Sequence, residues 1–258
     1  MMSNKVKTSL LILFIFIKSI VFAQKKGDDF SNKIFNFQFI YNGQFPSGDW
    51  EKMYGVSHGL GFGVNYKSQT NWLFSAESSF MLSSNLKNTA DLVNLTNSNN
   101  YIFNANNGTP ATVDLSMRGF TAFGRIGKII PVSRLNKNHG ILLQIGAGYL
   151  MHYLNFNIPQ NTVAQLNEVN QRGYDRLHGG LAVSQFIGYY FHSESRLLNF
   201  YVGLDFAQAY TKNLREYNYD THQYDLNTKQ DNYTAFRFAW MIPIYLSSKT
   251  EEFNFKAN

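Results

Sequence analysis

Apolar and polar positions alternate with a period of two through eight stretches of this chain, most cleanly from Asn199 to Thr211. There Phe200, Val202, Leu204, Phe206 and Tyr210 fall on one face, and Tyr201, Gly203, Asp205, Ala207, Ala209 and Thr211 on the other. One face is apolar, the other small or polar. Sustained for roughly ten residues, the pattern has the length a tilted strand needs to cross a bilayer.

The same alternation predicts a first strand over 34–42, with Phe35, Phe37, Phe39 and Tyr41 outward, Asn36, Gln38 and Asn42 inward, and Ile40 as the exception. Pro46-Ser47-Gly48-Asp49 is turn chemistry, so a loop is expected over 43–57. In the second strand, to Lys67, Leu60, Phe62, Val64 and Tyr66 alternate with Gly59, Gly61, Gly63 and Asn65. Its glycines lie two apart on one strand face with no helix following, which argues against a phosphate-binding loop. The third strand opposes Trp72, Phe74, Ala76 and Phe80 to Leu73, Ser75, Glu77 and Ser79. A fourth, over 118–129, puts Phe120, Ala122 and Ile126 outside and Thr121, Phe123 and Arg125 inside. The fifth, from Ile141, turns Leu143, Ile145, Ala147 and Tyr149 outward and Gln144, Gly146, Gly148 and His152 inward. The sixth, over 177–191, has an open phase: Ser184 and Gln185 are adjacent, so one faces out or a bulge intervenes. The last, over 233–245, places Phe236, Phe238, Trp240, Ile242 and Ile244 outside against Ala235, Arg237, Ala239 and Met241.

Connections alternate long and short, as in barrels with short periplasmic turns and longer outer loops. The longest, over 83–114, contains Asn107-Gly108, which suggests a hairpin within it. The expected fold is all-β: an eight-stranded antiparallel up-and-down transmembrane β-barrel. A periplasmic sandwich or secreted jelly roll is the alternative, but its outer faces should carry more charge. Residues 1–23 read as a signal peptide, with Lys5 and Lys7 before an apolar run and small residues near Ala23; an uncleaved anchor is the alternative. A leader over 24–32, a barrel over 33–246 and a short periplasmic tail over 247–258 complete the expected organisation. Beyond the signal segment no run of about 18 apolar residues remains, so passage through a membrane would fall to strands.

Composition agrees with this picture. Aromatic residues make up 16% of the chain, yet mean hydropathy is negative, which an alternating barrel produces. Cysteine is absent, excluding a lipoprotein anchor, disulfides and thiolate metal sites. The formal charge is +6; without Lys5, Lys7 and Lys18, 20 basic residues against 17 acidic leave +3. The basic residues are dispersed, which gives no reason to expect nucleic acid as a partner.

The predicted inner face carries Glu77, Arg125, His152, Asp205 and Arg237, with Gln144 as a further polar group. Opposite charges fall on neighbouring strands at matching heights. The expectation is two structural salt bridges, Glu77 with Arg125 and Asp205 with Arg237, plugging a narrow interior. A proton or ion path, or a gate, is the functional alternative. Small barrels that edit lipid A place a catalytic His, Ser and acid on the lipid face or outer rim. The candidates here are His152, His178 with Ser184, and His192-Ser193-Glu194. Alternation puts His152 inside, and His192 falls in a periplasmic turn. The six histidines show no ligand spacing, so neither metal nor cofactor is expected. In the outer loops Tyr217, Tyr219 and Tyr224 lie among mixed charges, which suits protein or glycan contacts; an aromatic girdle with an ordered cap is the alternative.

The signal ending Phe22-Ala23-Gln24, the early Pro46-Ser47-Gly48-Asp49, the Trp72 strand with Glu77, Gly173-Tyr174-Asp175-Arg176 and the closing Trp240 strand together resemble the small, porin-like outer-membrane β-barrel proteins of Bacteroidota. The resemblance spans nearly the whole mature chain. It implies an outer-membrane barrel without a periplasmic domain, with outer-membrane lipid as its surroundings. Some such barrels accompany type IX secretion and gliding machinery, which implies an accessory role with envelope or secretion-system partners. The chain departs from the usual ending, since Lys256, Ala257 and Asn258 follow Phe253 and Phe255. The expected function is therefore non-enzymatic, structural or partner-binding, with a lipid A-modifying enzyme or a narrow passive channel as alternatives.

Overall fold

The structure is a computed structural model that describes residues 33–87, 102–103, 110–111, 113–132, 138–158, 163, 166–193, 198–219 and 221–245. Residues 1–32 and 246–258, which hold the expected signal segment, leader and tail, lie outside the described residues. In chain order the elements are β1 (Ile34–Gly48), α1 (Trp50–Met53), β2 (Ser57–Lys67), β3 (Trp72–Ser83), β4 (Ile102–Phe103), β5 (Pro110–Ala111), β6 (Asp114–Pro131), β7 (Gly140–Asn157), α2 (Glu168–Tyr174), β8 (His178–His192), β9 (Asn199–Asn213), β10 (Tyr217–Asn218), β11 (Gln223–Tyr224) and β12 (Lys229–Tyr245).

Eight long strands close into an antiparallel barrel in the order β1-β12-β9-β8-β7-β6-β3-β2. Through its central band closure pairs each of these strands on both sides, the condition for strands in lipid. Ile34 pairs with Tyr245 at one end and Gly48 with Asp231 at the other. Phe37, Phe39, Leu60, Phe62, Phe80 and Ile145 are exposed, whereas Asn36, Gln38, Asn65 and Gln144 are buried in the interior. Ile40, the odd residue of the first strand, packs inside with Leu73, Leu142 and Tyr201.

The sixth stretch carries no bulge. Its register runs unbroken from His178 opposite His152 to Tyr190 opposite Gly140, with Ser184 buried and Gln185 outward. Gln185 is satisfied there by donating from Nε2 to the outward Gln208 Oε1 at 3.0 Å.

Several strands run past their sequence boundaries. β1 continues to Gly48 instead of ending at Asn42, because β12 keeps pairing with it after β2 has stopped at Ser57 opposite Gln44. One edge of β1 is free from there on, which is where Pro46 is tolerated. β6 and β7 pair from Asp114 opposite Asn157 to Pro131 opposite Gly140, so both begin or end well beyond the alternating core. Their extra length has something to cover: Met117, Leu154 and Phe156 pack in one apolar cluster with Trp50 and Tyr54.

That cluster exists because the first long connection is folded. At Gly48 the backbone takes φ +73°, and a Cβ there would meet the Gln230 carbonyl oxygen at 2.4 Å. The chain turns back, the Asp49 N–H donates to the Gln230 carbonyl while the Gln230 N–H donates to the Asp49 side-chain carboxylate, and α1 lies over the barrel mouth. Glu51 and Tyr54 are clamped in turn by residues that follow β3, through Lys87 and a bridge to Leu86. In the longest connection β4 pairs with β5; the intervening 104–109, with Asn107-Gly108, lie outside the described residues.

Candidate functional site in the barrel interior and mouth

Inward side chains fill the lumen in layers. Toward the short-turn end, Ile40, Leu73, Leu142, Phe186, Tyr201 and Met241 belong to one apolar cluster. Toward the long-loop end, Met81, Met117, Phe123, Leu150 and Tyr233 join α1 in another. Between them lie Glu77, Arg125, Asp205 and Arg237, whose side chains are at most 3% exposed.

These four residues form one network, not two pairs. Arg125 donates from Nε to Glu77 Oε1 at 2.7 Å and, with both terminal nitrogens, bidentately to Asp205 at 2.7 Å each. Arg237 donates to Glu77 Oε2 and, at 3.5 Å, to Asp205 Oδ2. Each guanidinium thus touches both carboxylates, and the set is neutral. The closest partner of Asp205 is Arg125 on β6, across the lumen, and not Arg237 on adjacent β12. The neighbouring-strand contacts Glu77–Arg125 and Asp205–Arg237 are both present, and because an arginine is long enough to span so narrow an interior, Arg125–Asp205 and Arg237–Glu77 are added across it.

Polar side chains extend the network. Arg237 donates to the Tyr201 hydroxyl at 2.9 Å, which donates to Gln38 at 3.1 Å. Asn65 donates to the same Gln38 oxygen at 2.9 Å, and Asn36 to Asn65 at 2.6 Å. Arg125 also lies over the Phe123 ring at 5.0 Å and Arg237 over Tyr201 at 5.5 Å, which ties the charged layer to both apolar ones. Gln144 reaches Ser75 at 3.4 Å.

A second cluster occupies the mouth beneath α1. His152 Nε2 donates to Asp231 Oδ2 at 2.9 Å, and the Thr211 hydroxyl donates to the same oxygen. The Trp50 ring stacks on His152 at 5.2 Å, and the His178 ring stacks on it at 5.5 Å. His178 Nδ1 donates to the Arg176 carbonyl at 2.6 Å, leaving its Nε2 to accept from Lys229 Nζ at 2.8 Å. A cavity of about 210 Å³ lies between α1 and these strand ends. Beside it, outside the spanning strands, hydrogen bonds from Lys52 and the Gln230 backbone hold the Asp49 carboxyl below its ordinary range.

The candidate catalytic residues do not reach lipid. His152, His178, Ser184 and His192 are all buried on the inward side. His192 is the last residue of β8, not part of a turn, and Glu194 lies outside the described residues. Alternation puts Thr211 on the inner face, but it does not single out Asp231 or Trp50. Asp231 has the same parity as Arg237, so reading β12 back two residues past Tyr233 would have placed it inside; Trp50, in a loop, carries no such signal.

The loop tyrosines form an ordered cap. Tyr217 packs against Tyr224 at 5.1 Å and Tyr219 at 5.9 Å, and Tyr219 against Tyr174 at 5.5 Å. Arg215 joins Asp175 at 2.8 Å, so the loop after β9 is pinned to the one after β7. Tyr224 remains 71% exposed, leaving a face for contacts.

The exterior has the chemistry of lipid contact. Outward charges such as Arg118, Lys128 and Lys212 lie toward strand ends, and Lys128 sits over the Trp72 ring at 5.1 Å, an interfacial arrangement. A closed antiparallel barrel with an apolar outer wall is the form in which strands cross the bacterial outer membrane, and this chain is a barrel of that class.

No protein-family model and no curated protein matches the sequence. Solved structures that resemble it include Neisserial surface protein A, at 9% identity and TM-score 0.42 over 81% of this chain and 96% of that one. Ail, the attachment invasion locus protein of Yersinia pestis, is similar at 9% identity and TM-score 0.42, over 82% of this chain and 100% of Ail. The outer membrane protein OprG from Pseudomonas aeruginosa is similar at 10% identity and TM-score 0.35, over 83% of this chain and 97% of OprG.

Proposed function

We propose that this chain is a non-enzymatic outer-membrane barrel that anchors an ordered outer cap for contact with a partner, and conducts nothing. The observation that carries the reading is the neutral Glu77–Arg125–Asp205–Arg237 network closing the lumen between two apolar layers. A conducting pore needs continuous open space, whereas here side chains pack the lumen on both sides of the charges, and the polar run from Arg237 through Tyr201, Gln38 and Asn65 to Asn36 is spent on its own hydrogen bonds. The inward position of the histidines and Ser184 argues against a lipid-editing centre built from them. What remains available to a partner is the cap, held by tyrosine contacts and the Arg215–Asp175 pair. A place beside type IX secretion and gliding machinery is the finer reading, and it rests on the resemblance to Bacteroidota barrels.

Planar-bilayer recordings with purified protein test the plug: no steps above baseline are expected, and reproducible unitary steps would overturn it. Lipid A mass spectra from wild-type and deletion strains should coincide; a lost modification would reinstate the enzyme. Crosslinked affinity capture from gently solubilised outer membranes tests the partner, and recovery of the barrel alone would remove the accessory role.

A further inference from the structure

The outer wall carries a polar side chain at a depth where lipid offers it no partner. Gln185 points outward from the middle of β8, between outward Val183 and Ile187 on its own strand and opposite Ile145 on β7 and Phe206 on β9. Its depth follows from the tyrosines. Four residues toward the loops, outward Leu181 pairs with Tyr149 and Tyr210, which mark one aromatic girdle; four residues toward the short turns, outward Tyr189 marks the other. Gln185 is therefore about 13 Å along the strand from each level, midway through an apolar band about 25 Å tall.

A single hydrogen bond does not satisfy two amides. Gln185 Nε2 donates to Gln208 Oε1 at 3.0 Å, which leaves Gln185 Oε1 as an acceptor and Gln208 Nε2 as a donor, neither with a partner among the described residues. In hydrocarbon such groups are costly, because no water replaces the missing bond. An acyl chain offers neither donor nor acceptor. What fits an acceptor beside a donor is a donor beside an acceptor, and a second copy of this chain brings that arrangement to the same depth.

The symmetry is self-consistent. Two barrels inserted in the same sense are related by a two-fold axis along the membrane normal, which keeps every residue at its own depth and sets one wall against its equal. With the axis between β8 and β9, Gln208 of each copy stands opposite Gln185 of the other. Each Gln208 Nε2 then donates to the other copy's Gln185 Oε1, and with the two bonds already present the four amides close a ring in which every member donates once and accepts once. Leu181, Val183, Ile187 and Leu204, all exposed on these two strands, supply the apolar contact around it. We propose that this barrel pairs with a second copy of itself through the β8–β9 wall, around the Gln185 and Gln208 amides. The inference concerns the wall alone and goes beyond the closed lumen and its cap.

Förster transfer between barrels reconstituted in phosphatidylcholine vesicles at graded protein-to-lipid ratios tests it. The chain has no cysteine, so Val169→Cys on exposed α2 gives a single labelling site. Saturable transfer above the level set by crowding at the same density is expected. Gln185→Leu together with Gln208→Leu should weaken the pairing about tenfold, the worth of two hydrogen bonds in lipid, while heat-modifiable gel mobility shows the barrel still folded. Oxidation with copper phenanthroline locates the contact: Leu181→Cys should yield a covalent dimer, whereas Leu60→Cys, outward on β2 across the barrel, should not. Transfer no greater than crowding gives, pairing indifferent to the double substitution, or crosslinking equally ready through Leu60→Cys would each overturn the proposal.

Discussion

Asp205 shows how a single residue depends on the rest of the lumen. Both of its oxygens are held by Arg125 at 2.7 Å, and Arg237 reaches only one of them, at 3.5 Å. Arg125→Met should therefore leave a buried carboxylate short of its main partner and cost about 3–5 kcal/mol. Arg125→Met with Asp205→Leu removes one charge of each sign and leaves Glu77 with Arg237, so the lumen stays neutral and part of the loss returns. Urea unfolding in detergent reads both, and equal midpoints for the single and double variants would break the argument. The members of this network were legible from parity alone, since each is a charge on the inner side of an alternating strand. The connections of Arg125 to Asp205 and of Arg237 to Glu77 were not, because contacts across the lumen depend on barrel width, which alternation does not encode. A close approach was equally invisible at Gly173, where a Cβ would lie 2.2 Å from the Tyr219 ring. Gly173→Ala should loosen the cap by about 1–3 kcal/mol and make the 214–228 loop cleavable by protease without moving the melting of the barrel. Unchanged loop cleavage would show that the ring yields freely.

At the scale of elements, strand phase was the most legible property and strand ends the least. Lipid on one side and a packed interior on the other leave a strand no freedom to shift by one residue, so outward aromatics on β1, β3 and β12 declare the register. The ends answer to tertiary packing instead. Pro46 and Gly48 carry ordinary turn signals, yet β1 continues through them because β12 is there to pair with and α1 needs a wall to rest on. β8 is the instructive case between the two: Gln185 faces outward without a bulge because Gln208 on β9 meets it. Gln185→Leu alone should strand the Gln208 amide on the apolar wall and cost about 1 kcal/mol. Joining it with Gln208→Leu should restore or exceed wild-type stability, since two leucines suit lipid better than two amides. Should the double variant melt below the single one, the amide pair would be holding register and not merely tolerating its position.

For the molecule as a whole, the layered interior makes a claim that no single residue can test. The charged layer is bounded toward the short turns by Leu142, Phe186, Tyr201 and Met241 and toward the loops by Phe123, Leu150 and the Trp50 cap. Water crosses a barrel only where open space is continuous, and both flanking layers are filled with side chains, so removing the charges opens a pocket, not a path. The barrel with Glu77, Arg125, Asp205 and Arg237 all changed to Ala should therefore remain silent in planar-bilayer recordings, despite lower stability. Its folded fraction is checked by heat-modifiable gel mobility before reconstitution. Steps appearing in that variant would mean that the charges alone seal the lumen and that the apolar layers are permeable, which would turn the plug into a gate. Silence there, followed by conductance only when Phe186, Tyr201 and Met241 are also reduced to Ala, would locate the seal in the apolar layer next to the short turns. In that event the ionic network holds opposite walls of the barrel together, and the closed lumen serves as a rigid base for the cap at its outer end.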